Sequence, residues 1–226
     1  MTTNFILGSA TALLLTSAAS AEFIGFDGVV SINDAGNNVV QMYAVYDNDS
    51  AVVLNVFESD ISAGAAGDIL FNQSDVQMGA GGTWNPSASL DIPDFADSSN
   101  DSYVTIGYGV GADAATNGTV LDLIFGEING DGPTFPSGFG WYNGTPLNEQ
   151  GVSSFAGGFA GISGYAARIG QFVWNGTAPL DFRGEIAFNT GSGTDLVFDQ
   201  DVFLCPTPGA LALFGLGGLA TRRRRG

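Results

Sequence analysis

The chain has no histidine and no lysine in its 226 residues, and its single cysteine is Cys205. Without histidine, a Ser-His-Asp triad, a Cys-His pair and any His-ligated zinc site are excluded. Without lysine, Schiff-base chemistry and the phosphate-binding lysine of a P-loop are excluded as well. One cysteine cannot close an internal disulfide, so stability must come from the core or from bound ions. Positive charge is scarce too: of six arginines, four are Arg222 to Arg225, leaving only Arg168 and Arg183 in the body. Two arginines against 23 Asp and Glu give residues 22–205 a formal charge of −21. Such a surface repels phosphate backbones, which excludes DNA and RNA binding. It stays soluble and collects cations, calcium in particular.

Apolar residues make up 45% of the chain and charged ones 13%, the balance of a globular protein rather than a disordered one. The 34 glycines follow no collagen period and sit mostly between apolar runs, as turns of a β-rich chain require. Short segments rich in Val, Ile, Phe and Tyr predict strands at Phe23–Ile32, Val39–Tyr46, Val52–Phe57, Ile69–Phe71, Tyr103–Val110, Val120–Phe125, Ala166–Trp174, Leu180–Phe188 and Leu196–Leu204. In the eighth of these, Leu180, Phe182, Ile186 and Phe188 fall on one face and Asp181, Arg183 and Glu185 on the other, the period of a half-buried strand. No body segment holds a helical period for a dozen positions; residues 63–68 have room for one turn. Asn175-Gly176 predicts a hairpin between the seventh and eighth strands, which would set Arg168 and Arg183 on one sheet face, each paired with acids. Asn117-Gly118 and Asn143-Gly144 mark further turns. Many strands without crossover helices predict a single all-β domain at residues 22–204, an antiparallel β-sandwich that is jelly-roll-like. Residues 72–101 and 129–151 read as long surface loops, where a binding site is expected.

The two ends carry targeting features. Residues 1–21 read as a signal peptide: an apolar stretch from Phe5 to Leu15 leads to Ala19-Ser20-Ala21, an A-x-A cleavage site. At the other end, residues 205–226 comprise Pro206-Thr207-Pro208, an apolar run over 209–221 and the cluster Arg222, Arg223, Arg224 and Arg225. As a helix that run reaches about 20 Å at roughly 1.5 Å per residue, short against a hydrocarbon core about 30 Å thick. The arginines fit the positive-inside rule and would leave the acidic domain outside.

The order of proline motif, glycine-rich apolar helix and terminal arginines resembles the PEP-CTERM sorting signal, with Pro-Thr-Pro where the commonest form has Pro-Glu-Pro. The resemblance covers residues 206–226. It implies recognition and cleavage of the tail by an exosortase-type membrane protease. It also implies a cell-surface or extracellular protein of a bacterium that makes exopolysaccharide.

Within the body, three chemistries stay open. Trp84 and the pair Trp141-Tyr142 lie in predicted loops, where an exposed ring can stack on a sugar; a tryptophan plugging the end of the sandwich is the alternative. Glu127, Asn129 and Asp131 imitate the start of an EF-hand loop, but Gly138 stands where the bidentate carboxylate belongs, so a calcium site there would not be an EF-hand. Asp47-Asn48-Asp49 and residues 97–101 also gather oxygens in turns. Carboxylate pairs could serve a glycosidase, yet the five glutamates sit in no catalytic motif. The expectation is therefore a non-enzymatic exported protein of the extracellular matrix, with a carbohydrate-binding module, with or without calcium, as the alternative and a glycosidase as a remote one.

Overall fold

The computed structural model describes residues 20–62, 69–76, 83–107, 117–123, 133–155 and 162–205. Ala19, Glu127, Asn129, Asp131, the proposed helical turn at 63–68 and the whole sorting tail from Pro206 lie outside the described residues. No helix among the described residues is long and apolar enough to cross a membrane.

Ten strands follow in chain order: β1 Phe23–Ile32, β2 Asn38–Tyr46, β3 Val52–Ser62, β4 Tyr103–Val104, β5 Thr119–Leu121, β6 Phe139–Asn143, β7 Ser154–Phe155, β8 Tyr165–Trp174, β9 Leu180–Asn189 and β10 Thr194–Leu204. Every ladder is antiparallel. The first sheet runs β1-β2-β8, with β4 and β7 sharing the far side of β8; the second runs β10-β9-β3-β6-β5. The all-β, two-sheet expectation holds.

The finer expectations change. The pairs β2/β3 and β8/β9 each pass from one sheet to the other, and β2 pairs with β8 as β3 pairs with β9. That is the strand order of an immunoglobulin-type Greek key with extra strands beside β3, not of a jelly roll. Asn175-Gly176 consequently makes no hairpin. Both sides of β8 are already taken, by β2 and by β4 with β7, so the chain crosses to the other sheet and Arg168 and Arg183 end up on different sheets. Gly176 has φ +104°, a conformation that glycine supplies whether the turn closes a hairpin or an arch. Phe71, predicted in a strand, forms only an isolated bridge to Trp174.

The core between the sheets is aromatic. Phe23 meets Phe26 and Tyr46 at ring-centroid distances of 5.2 and 5.6 Å, and Phe26 meets Phe182 at 5.0 Å. Phe182 leads to Phe172, which touches Phe71 and Phe135, each at 5.9 Å. Trp84 lies against both Phe71 and Phe135, and Phe135 against Trp141. Edge-on contacts dominate this series, the geometry that ring quadrupoles favour. Each fully buried ring contributes about 1.5–3 kcal/mol of apolar burial, and with no disulfide this seam is what joins the sheets. Phe172 touches four other rings of the seam. Phe172→Ala should therefore destabilise the fold by about 3–5 kcal/mol in urea unfolding. Phe198→Ala, at a ring 54% exposed on β10, should shift stability by no more than about 0.5 kcal/mol.

Candidate functional site

The second sheet turns one face to the core and the other to solvent. From β3, Val53, Val56 and Ile61 point inward; from β9, Phe182, Ile186 and Phe188 do the same. The cross-strand register then sets an outward row across all five strands, Leu196–Ala187–Asn55–Tyr142–Val120. At about 4.8 Å between strands, that row spans on the order of 19 Å.

Beside this row a groove of about 300 Å³ is lined by Asn55, Phe57, Asp122, Leu123, Gly140 and Tyr142. Tyr142 is 44% exposed and forms its aromatic wall. Gly140 lets β6 lie close against β3: a Cβ there would stand 2.5 Å from the Val56 carbonyl oxygen. The Asn55 Oδ1 is buried and has no hydrogen-bond partner among the described residues. A buried carboxamide acceptor left without a donor costs on the order of 1–3 kcal/mol.

Next to the groove is a smaller depression, about 230 Å³, lined by Glu58, Asp60, Glu185 and Asp199 around Arg183. Two bulges build it. Glu58 (φ +46°) and Asp199 (φ +53°) adopt the left-handed conformation where β3 and β10 slip register against β9. Arg183 donates to Asp199, and that bond, with the Asp199 charge, holds the guanidinium pKa above its ordinary value. Both side chains are more than half exposed, so the pair adds little stability. Arg168, in contrast, takes neutral partners: its Nη2 donates to Gln41 Oε1 at 3.0 Å and lies 3.4 Å from the Tyr43 hydroxyl, above whose ring the guanidinium sits. Among the described residues, the expectation of an acid partner holds for Arg183 alone.

The predicted sugar platforms divide. Trp84 and Trp141 are buried, at 0% and 1% exposure. Trp141 Nε1 donates to the Thr105 carbonyl at 2.9 Å, so both indoles belong to the core and neither is an open stacking surface. Trp141 and Tyr142 belong to β6, inside a stretch expected to be loop, and adjacent strand residues face opposite ways. That alternation is why Tyr142 alone reaches solvent. The segment Phe139-Gly-Trp-Tyr-Asn143 carries a period-two signal that its glycine- and proline-rich surroundings hide.

The acidic turns have structural work. Asp47 Oδ1 accepts from the Glu22 amide at 2.8 Å, and Asn48 Oδ1 accepts from the Ser50 amide at 2.9 Å. Asp97 caps the short turn at Ser98–Asn100. No group of three or more His, Cys, Asp or Glu side chains that could hold a metal gathers among the described residues. Two carboxylates are fully buried, Asp75, which sequence reading missed, and Asp101, from the 97–101 turn: Asp75 accepts from the Thr83 amide at 2.7 Å and from its hydroxyl at 2.9 Å, and Asp101 accepts from the Ser74 amide at 2.7 Å and from the Ser89 hydroxyl. They pin the long loop across the edge of the first sheet, where Gln171 Nε2 also donates to the Asp101 carbonyl.

No protein-family model, no curated protein and no solved structure matches this chain.

Burial pushes the Asp101 carboxyl up to about 7, outweighing the Ser89 and Ser74 hydrogen bonds, and the nearby Asp75 charge adds to the rise. The folded state therefore keeps a proton that the unfolded chain releases near pH 4, and stability should fall as pH rises from about 4 to 7. Across that window the loss from this group is on the order of 4 kcal/mol. Asp101→Asn should flatten this part of the profile and be the more stable form at pH 8, read by urea unfolding at both ends of the window.

Proposed function

We propose that the protein is an exported, non-enzymatic component of the extracellular matrix, held or released at the cell surface through its C-terminal tail. The tail would be processed by an exosortase-type protease, and the 209–221 run would serve as a short transmembrane sorting helix. The observation that carries this reading is where the last described strand ends. The described strands of both sheets run from Phe23 to Leu204, and β10 leads directly into an exposed Cys205 immediately before the proline motif. The chain enters at the opposite end of the sandwich, where Ala21 bonds to Thr190. A membrane-held tail would thus point the β9–β10 turn and the Asp47–Ser50 turn away from the lipid.

The open face of the second sheet is the contact surface we assign to polysaccharide. Tyr142 offers a ring for the apolar face of a sugar, and Asn55 and Asp122 offer amide and carboxylate groups for hydroxyls. A domain with a formal −21 repels uronates and sulfates, so the fitting glycan is neutral or carries free amino groups that meet Glu58, Asp60 and Glu185. Both depressions are half-open to solvent, an arrangement that admits a strand of polymer.

Retention of the mature protein on immobilised polysaccharides tests the assignment. Neutral or amino-bearing polymers should bind it, and Tyr142→Ala should weaken binding about tenfold, or roughly 1.4 kcal/mol, with the melting temperature unchanged. Trp84→Ala and Trp141→Ala should instead unfold the domain. Binding indifferent to Tyr142, or a preference for polyanions, would count against this face.

A further inference from the structure

We infer that export processing cuts the chain between Ala19 and Ser20, and not after Ala21, so that the mature protein begins Ser20-Ala21-Glu22. The inference rests on the export reading above and adds to it the bond that is hydrolysed. Water adds across the Ala19–Ser20 amide, leaving a carboxylate on Ala19 and an ammonium on Ser20.

Sequence cannot choose among three registers. Ser17-Ala18-Ala19, Ala18-Ala19-Ser20 and Ala19-Ser20-Ala21 each put small residues one and three positions before a cut, as an A-x-A-like site requires. The fold chooses. Ala21 is 4% exposed and belongs to the main apolar core, packed at the end of the sandwich where β1 begins. Its amide donates to the Thr190 carbonyl at 3.1 Å, which ties the strand entry to the turn between β9 and β10. Ser20 is held as well: its carbonyl accepts from Asn48 Nδ2 at 3.3 Å and its hydroxyl from Ser192 at 3.3 Å. A leader that is discarded has no reason to supply a core methyl and a backbone bond to the domain it leaves.

A cut after Ala21 would remove the buried methyl and leave the Thr190 carbonyl without that donor. It would gain one thing: the new ammonium of Glu22 would stand at the 2.8 Å distance its amide now keeps from Asp47 Oδ1. That contact is exposed, and exposed pairs contribute little, whereas buried apolar groups and buried backbone acceptors are costly to strip. With the cut before Ser20, both buried features stay. The ammonium then sits beside the Asp47–Asp49 turn, in a body otherwise almost free of positive charge.

The same contacts set the order of events. Once Ser20, Ala21 and Glu22 are bonded to Asn48, Thr190 and Asp47, the backbone just after the cut is no longer free to lie extended in a protease. Cleavage therefore precedes closure of the β9–β10 turn over the entering strand, as export of an unfolded chain requires.

Mass spectrometry of the protein isolated from its native cells decides the register. A mature chain starting at Ser20 is the expected result. A start at Ala21 or Glu22 overturns the inference and leaves export standing, while an intact Met1 overturns export and this inference together. In a second measurement, mature chains starting at Ser20 and at Glu22 are freed from a cleavable N-terminal tag and unfolded in urea. The Glu22 form should have a folded-to-unfolded ratio lower by about tenfold, and equal stability of the two would overturn the inference.

Discussion

A single seam of interlocking rings, from Phe188 and Tyr46 through Phe23, Phe26, Phe182 and Phe172 to Phe135, Trp84 and Trp141, is the constraint on which the rest of this protein depends. No disulfide joins the two sheets, and a surplus of carboxylates over the outer surface works against compaction. Rings bury more area per residue than any other side chain. A chain with 17 phenylalanines, six tyrosines and three tryptophans can offset that repulsion without disulfides. The crossing of β2/β3 with β8/β9 places rings from non-adjacent strands opposite one another, so the topology and the seam require each other.

The same seam determines what is left outside. Because Trp141 is drawn in against Phe135 and the Thr105 carbonyl, the next residue on β6 must face outward, and Tyr142 becomes the aromatic of the open face. Because β9 commits Phe182 and Ile186 to the core, Arg183 and Glu185 face solvent. The Glu58 and Asp199 bulges then gather further carboxylates beside them. A neutral or amino-bearing polymer fits this surface for the reason nucleic acid does not. The polar interior near Asp75 and Asp101 has a different purpose, fixing the long loop between β3 and β4, and through the raised Asp101 carboxyl it makes stability depend on pH.

Sequence periodicity made the long strands legible. Phe23–Ile32 is observed as drawn, and β2, β8, β9 and β10 differ by one or two residues at their ends. Local pattern could not give pairing. Asn175-Gly176 has the chemistry of a tight turn, but whether that turn joins neighbours in one sheet or bridges two is decided by which edges of β8 are already filled. Short strands were hidden for a related reason: Phe139–Asn143 has only five residues, two of its neighbours are glycines, and burial of Trp141 rather than propensity holds it in place. The open face was half legible, since Tyr142 was singled out for its aromaticity while Asn55 and Phe57 meet it only through cross-strand register.

Location is the central claim, and Cys205 allows the most direct measurement of it. It is the only thiol in the chain, it is exposed, and it stands at the junction of the β domain and the tail. A membrane-impermeant maleimide added to intact native cells should label Cys205, or label the released protein in the medium, without lysis. Labelling that appears only after the cells are broken open would contradict the account.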